Sequence, residues 1–242
     1  MKGMRALRNI LAYLLAFFLV PLLFIPVLIV SGLCGYDKFL FILSRAVMRF
    51  GLKIVGVRMH VHGAAGVDFS RPMLMVCNHL SNLDGPLLYS ALPGEPRVLI
   101  KSEARKIPLI GLVLKLAGFV FVDRQSPRRR QEALNEAVAA IKKKRCSFLV
   151  FPEGTRSRSG RRQDFKKGGF MIALKAGVPV LPVKISGSYQ LMPPGRITIR
   201  AGTVDIECFP LQSMAGVNES DLPGWVRTLQ NTIYKDNYNE NH

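Results

Sequence analysis

Acidic residues are scarce in this chain. Sixteen Asp and Glu stand against 34 Lys and Arg in 242 residues, a formal net charge of +18. That imbalance points to anionic partners: lipid headgroups, phosphorylated substrates, an acidic carrier or nucleic acid. Nucleic acid is set aside on two counts. Hydrophobic residues make up 49% of the chain, more than suits a soluble nucleic-acid binder of this charge. Aromatics are also not interleaved with the basic runs, as a base-stacking platform requires. Cysteine is sparse as well. Cys34, Cys77, Cys146 and Cys208 form no CxxC pair and have no histidine at ligand spacing, and His60 and His62 alternate on an expected strand far from them. Neither zinc nor structural disulfides are expected, which describes a reduced, cytosol-facing protein whose cysteines are small buried hydrophobes. Repeats and low-complexity linkers are also missing, so the length fits one α/β core plus an accessory element.

Charge is absent altogether between positions 9 and 36, and residues 10–30 are almost wholly apolar. That is long enough to enter or cross a bilayer. Lys2, Arg5 and Arg8 precede the run without an acidic residue, an arrangement that keeps the N-terminus in the cytoplasm. A cleaved leader is not expected, because the run exceeds an h-region and no small-x-small site follows. Leu33 before Cys34 also departs from a lipoprotein signal. Pro21 and Pro26 should kink the helix. Across residues 37–57, Lys38, Arg45, Arg49 and Lys53 fall within about 80° on a helical wheel. Such a basic amphipathic helix suits a headgroup layer, the alternative being a core-packed helix with a solvated basic face. Residues 1–57 are therefore expected as a membrane anchor, a kinked, membrane-embedded helical hairpin in one leaflet or else a simple span. The remainder, 58–242, is expected on the cytoplasmic face of that membrane, the inner or plasma membrane in a bacterium.

Beyond residue 57, short apolar runs alternate with helical stretches. Strands are expected at 57–62, 73–77, 97–100, 119–122, 147–151 and 180–185. A hairpin of 197–201 and 204–209 around Gly202 should follow, with helices at 128–144, 169–176 and 219–237. The fold class is α/β, a mixed central sheet flanked by helices, with reactive segments at strand ends where such sheets carry ligands.

The chemistry concentrates at those ends. His79 and Asp84 lie five residues apart just after the 73–77 strand. An imidazole titrating near neutrality, oriented by a carboxylate, can take a proton from a hydroxyl. Asp84 also fits a helix cap ahead of Pro86. Apart from Ser81 and Cys77 no nucleophile stands beside His79, so the simplest mechanism activates the substrate's own hydroxyl. Backbone N–H groups near this block would serve an oxyanion. Phe151-Pro-Glu-Gly-Thr-Arg-Ser157 follows another strand. There Gly154 lets backbone N–H groups approach an anion, while Thr155 and Arg156 add donors. Arg158, Arg161, Arg162, Lys166 and Lys167 extend the cationic surface. Arg124 ends the 118–124 segment and Lys101 ends a further strand; each also reads as a solvent-facing edge charge. Val178-Pro-Val-Leu-Pro182 is stiff and apolar, a pocket wall or plain packing.

In order, these segments resemble the four blocks of the 1-acyl-sn-glycerol-3-phosphate acyltransferase family, with no departure inside any block. Asn78 to Asp84 is similar to the His-x4-Asp catalytic block, residues 118–124 to the second, Phe151 to Ser157 to the third and Val178 to Pro182 to the fourth. The resemblance implies His79 as general base and Asp84 as its orienter. It implies Arg124, Thr155 and Arg156 as the grip on the acceptor's phosphate, with Glu153 and Gly154 shaping that phosphate-binding site and Lys101 as a further member. The fourth block implies acyl-chain accommodation. The Thr155-Arg156 form favours lysophosphatidic acid over glycerol 3-phosphate as acceptor. The implied reaction moves an acyl group from a thioester, acyl-CoA or acyl carrier protein, to the sn-2 hydroxyl, giving phosphatidic acid at a membrane without metal or cofactor. Residues 58–242 would be the catalytic domain. A lysolipid acyltransferase of another specificity and a non-enzymatic polybasic membrane binder are the remaining alternatives.

Overall fold

The structure is a computed structural model, and it describes residues 3–4, 6–14, 38–107 and 110–234. Seven strands form one sheet in the order β1-β7-β6-β2-β5-β3-β4. They are β1 (Val57–His62), β2 (Leu74–Cys77), β3 (Arg97–Lys101), β4 (Val120–Val122), β5 (Phe148–Val150), β6 (Val180–Ser186) and β7 (Gly202–Cys208). Strands β2 to β6 all run parallel to one another. The direction reverses at β7, which pairs antiparallel with β6 and parallel with β1.

The central strands are uninterrupted apolar runs because both of their faces are covered. Successive side chains of β2 divide between the layers, as the period of two requires. Leu74 and Val76 meet Ala137 and Ile141 of helix α4 (Pro127–Lys144), Ile172 of α5 (Met171–Ala176), and Val226 and Leu229 of α7 (Leu222–Tyr234). Met75 and Cys77 meet Leu52 of α1 (Lys38–Ile54) and Leu87 and Leu88 of α2 (Asp84–Ala91). Two short helices, α3 (Ile110–Leu116) and α6 (Ser188–Leu191), sit in the connections. Helix α4 starts where the Ser126 side chain accepts from Arg129 N–H and Pro127 occupies the first turn. It ends at Arg145, in the left-handed conformation just after three lysines. Both ends are the ones helix chemistry favours.

Three expectations are revised. Residues 197–201 are not a strand, and β7 makes no hairpin with them. Their backbone is engaged by a helical stretch at 6–14: the Asn9 amide donates to Ile199 O and accepts from Ile199 N, and the Tyr13 hydroxyl donates to Ile197 O. The described flanks of the expected anchor are docked on the sheet. Phe41, Leu52 and Val55 are buried, so the packing has no seam at residue 57. The basic ridge of α1 is split. Arg45 lies over the Tyr89 ring and Arg49 Nε donates to Ser90 O, both on α2, while Lys53 faces outward. The kinked apolar segment itself, with Pro21 and Pro26, lies outside the described residues. Among the described residues no helix is long and apolar enough to cross a membrane. Finally, Val178 to Pro182 leads into β6 at the sheet end away from His79, and Val180 and Leu181 are wholly buried there. Packing is the role these contacts give it.

Candidate active site

Parallel strands end on the same side, so the segments after β2, β3, β4 and β5 converge on one rim. Asn78 sets the first of them. Its amide donates to Ile185 O at 3.0 Å and accepts from Ile185 N at 2.8 Å, tying the end of β2 to β6. His79 comes next, its backbone N–H donating to Glu153 Oε1 and its carbonyl accepting from Ser157 N, each at 3.0 Å. The first and third blocks are thus sewn together through main chain.

The His79 imidazole meets Asp84 through Nδ1, 2.8 Å from Oδ2. That oxygen also accepts from Leu80 N at 2.6 Å and Ser81 N at 2.7 Å. Asp84 is fully buried at the first position of α2, and its side chain does not cap that helix, because Leu83 occupies the cap. The carboxylate turns back on the 79–81 turn instead, which decides between the two sequence readings of Asp84. An acceptor at Nδ1 assigns the ring proton there and leaves Nε2 as the basic nitrogen. Phe151 stacks on the imidazole with centroids 4.1 Å apart and planes 18° from parallel. The ring is therefore held by a bond at one edge and a surface on one face.

Neither candidate nucleophile beside His79 is available. Ser81 is buried and its hydroxyl donates to Met192 O. Cys77 is buried, and burial, with Asp84 and Glu153 adding to it, pushes its thiol well above the ordinary range.

The cationic side is assembled from three strand ends. Arg124 Nη1 donates to Gly154 O, which places the second block against the third. Its surroundings hold it below the usual guanidinium range, mainly through burial, with the like charge of Arg156 adding and Glu103 opposing. Arg124 and Arg156 are therefore close enough to feel one another. Gly154 sits at φ 79°, a left-handed conformation suited to glycine. Thr155 and Arg156 are exposed, and the Thr155 hydroxyl is 3.4 Å from Gln163 Oε1. Lys101 reaches the same rim, because its partner in register is Val122, two residues before Arg124. Its ammonium pairs with Glu103 at 2.7 Å.

Glu153 has a different place from the one its block implies. It is buried, and its carboxylate accepts from His79 N, from the Tyr234 hydroxyl at 2.9 Å and from Gln163 Nε2 at 3.2 Å. Burial pushes it up to about 7 against the lowering effect of the His79 N–H and the Tyr234 hydroxyl, with Asp84 adding to the rise. A buried carboxylate supplied with donors braces the His79 backbone. Sequence reasoning passed over Phe151, Gln163 and Tyr234. The first stands inside a quoted block, whereas Tyr234 comes 81 residues after its partner and carries no local signal.

A family model described as Acyltransferase matches residues 58–186. A putative 1-acyl-sn-glycerol-3-phosphate acyltransferase of Caenorhabditis elegans is 30% identical over 76% of this chain and 67% of its own length. The 1-acyl-sn-glycerol-3-phosphate acyltransferase of Borreliella burgdorferi is 29% identical over 81% and 78%. The crystal structure of the 1-acyl-sn-glycerophosphate acyltransferase PlsC from Thermotoga maritima superposes with a TM-score of 0.83 at 29% identity, covering 99% of both chains.

Proposed function

We propose, on the premise that this chain belongs to the 1-acyl-sn-glycerol-3-phosphate acyltransferase family, that it acylates the sn-2 hydroxyl of 1-acyl-glycerol 3-phosphate from a thioester, with His79 as general base. The observation that carries the reading is the convergence of a partly exposed His79, paired with the buried Asp84, and of Arg124 and Arg156 at one sheet end. His79 Nε2 takes the hydroxyl proton, and the oxygen attacks the thioester carbonyl to form a tetrahedral intermediate. Collapse breaks the carbon–sulfur bond, and the sulfur leaves with the proton that the imidazolium returns. Asp84 stabilises the imidazolium and keeps its orientation throughout. Arg124, Arg156 and Thr155 bind the phosphate, Arg by a planar pair of donors. Lys101 joins them on releasing Glu103.

One expectation changes within this mechanism. The backbone N–H groups of His79, Leu80 and Ser81 are all committed to carboxylates. That narrows the donors for the oxyanion to other N–H groups near the first block.

A lipid acceptor arrives from a bilayer, and the surface is consistent with that approach. Ile42 and Phe50 of α1 and Ile107, Leu112 and Leu116 beside the rim are exposed, interspersed with Arg49, Lys53, Arg105, Lys106 and Lys115. Apolar side chains among cations suit an anionic membrane surface. The reading puts the catalytic domain at the cytoplasmic face of that membrane.

The test uses purified full-length protein, labelled lysophosphatidate, and acyl-CoA or acyl carrier protein thioester in parallel. Phosphatidate is the expected product, and its formation should cease in His79→Ala. Substantial turnover by the variant would overturn the base assignment. Activity on a neutral-headgroup lysolipid but not on lysophosphatidate would overturn the acceptor.

A further inference from the structure

We propose that Tyr234, on a helix outside all four family-like blocks, is a positioning residue for His79, acting through Glu153. The inference rests on the reading of His79 as the base and adds to it a part that no block contains.

The linkage has two steps, each a direct bond between buried groups. The Tyr234 hydroxyl donates to Glu153 Oε1, and the same oxygen accepts the backbone N–H of His79. Gln163 Nε2 occupies the other carboxylate oxygen. All three partners are donors, so the arrangement is complete only while Glu153 is ionised. A protonated Glu153 places a hydrogen where a donor already points, and the bond from the His79 N–H loses the charge that strengthens it. Tyr234 is itself fixed. Arg162 lies over its ring at 5.0 Å, Phe165 packs against it at 5.7 Å, and Gln230, four residues earlier on α7, accepts from Phe165 N. The C-terminal helix thus bears on the turn that carries the base.

The groups around Glu153 determine the sign of the effect. Asp84 on α2 and Cys77 on β2 face it from the strand-and-turn side; the carboxylate of Asp84 opposes ionisation. Tyr234 faces it from α7, with the charge of Arg162 behind that ring. Lys166 lies beside the adjacent Gly154. The Tyr234 hydroxyl and the His79 N–H hold the proton off Glu153 against burial. Removing the phenol oxygen therefore lets Glu153 keep its proton to higher pH and loosens the His79 backbone near neutrality.

The experiment compares wild type with Tyr234→Phe in two readouts. The first is kcat/KM against pH. The acid limb of the variant should move up by about half to one pH unit, the size expected for one lost hydrogen bond. Its alkaline plateau should stay within about twofold of wild type. An unmoved limb, or a uniform loss at all pH values, would overturn the proposal. The second readout needs no substrate: hydrogen–deuterium exchange of the peptide spanning residues 76–82. Exchange should be faster in the variant at pH 7 and return to the wild-type rate at pH 9, after correction for intrinsic exchange. Equal exchange at pH 7 also overturns the proposal. Wild-type protein that consumes no thioester sinks the enzymatic reading alone, because the exchange comparison still decides the linkage. Should Tyr234→Phe not fold, Gln163→Ala removes a donor from the same carboxylate, and the exchange readout alone carries the expectation, since Gln163 also meets Thr155.

Discussion

Asp84 Oδ2 accepts from one ring nitrogen and two backbone N–H groups, so a single oxygen fixes both the imidazole and the turn that bears it. In Asp84→Asn the amide carbonyl can stand where Oδ2 stands, but the negative charge that stabilises the imidazolium is gone. We expect kcat to fall by about 10²- to 10⁴-fold, while KM for lysophosphatidate stays within a few-fold. Steady-state kinetics at saturating thioester measure both. Glu153 yields a different prediction, one of stability. Its carboxyl is raised from 4.5 to about 7 in the fold, so the folded chain binds this proton more tightly than the unfolded chain. The stability this proton contributes is complete below pH 4.5 and is lost as pH rises through about 7. Relative to Glu153→Gln, wild type should therefore lose on the order of 3 kcal/mol between those limits. Parallel denaturant melts across that range check the sign. A gap that widened in favour of wild type at higher pH would contradict it.

At the scale of elements, α1 packs into the same core as the sheet. Leu52 and Val55 are 5% and 2% exposed and share a cluster with Leu87, Leu88 and Leu181. A chain starting at residue 58 strips that layer and should aggregate instead of yielding a detached soluble enzyme. Leu52→Ala in the full chain should cost about 2–5 kcal/mol, read by denaturant unfolding. Sequence made the central strands legible for a physical reason. A parallel strand covered on both faces must be continuously apolar, and 73–77, 148–151 and 180–183 are. The His79–Asp84 couple was equally visible, because both residues sit within one turn of chain. Residues 197–201 misled because their alternation matches a strand, whereas the groups that engage their backbone come from Asn9 and Tyr13, nearly two hundred positions away. The same distance effect hid Tyr234. Local pattern reports which face is apolar, and it carries no trace of which remote side chain will arrive to bond the backbone.

For the whole molecule, the net charge of +18 and the exposed position of Arg156 lead, on the proposed function, to the expectation of electrostatic recognition of the acceptor. Arg156→Ala should raise KM for lysophosphatidate about tenfold and KM for the thioester far less, since a charge-assisted bond is worth roughly 1.5–3 kcal/mol before solvent screening reduces it. Added salt should narrow the gap between variant and wild type, and equal effects on both substrates would count against a phosphate contact. Strand direction has a last consequence. Because β7 and β1 run against the other five strands, Val57 and Gly202 lie at the same end of the sheet as His79. Helix α1 and the 6–14 stretch, on either side of the apolar run, are thereby brought to the catalytic end. With β1 turned the other way they would enter at the opposite end, about 20 Å off at roughly 3.3 Å per residue. One reversed pair of strands thus sets how far the flanks of the apolar run stand from His79.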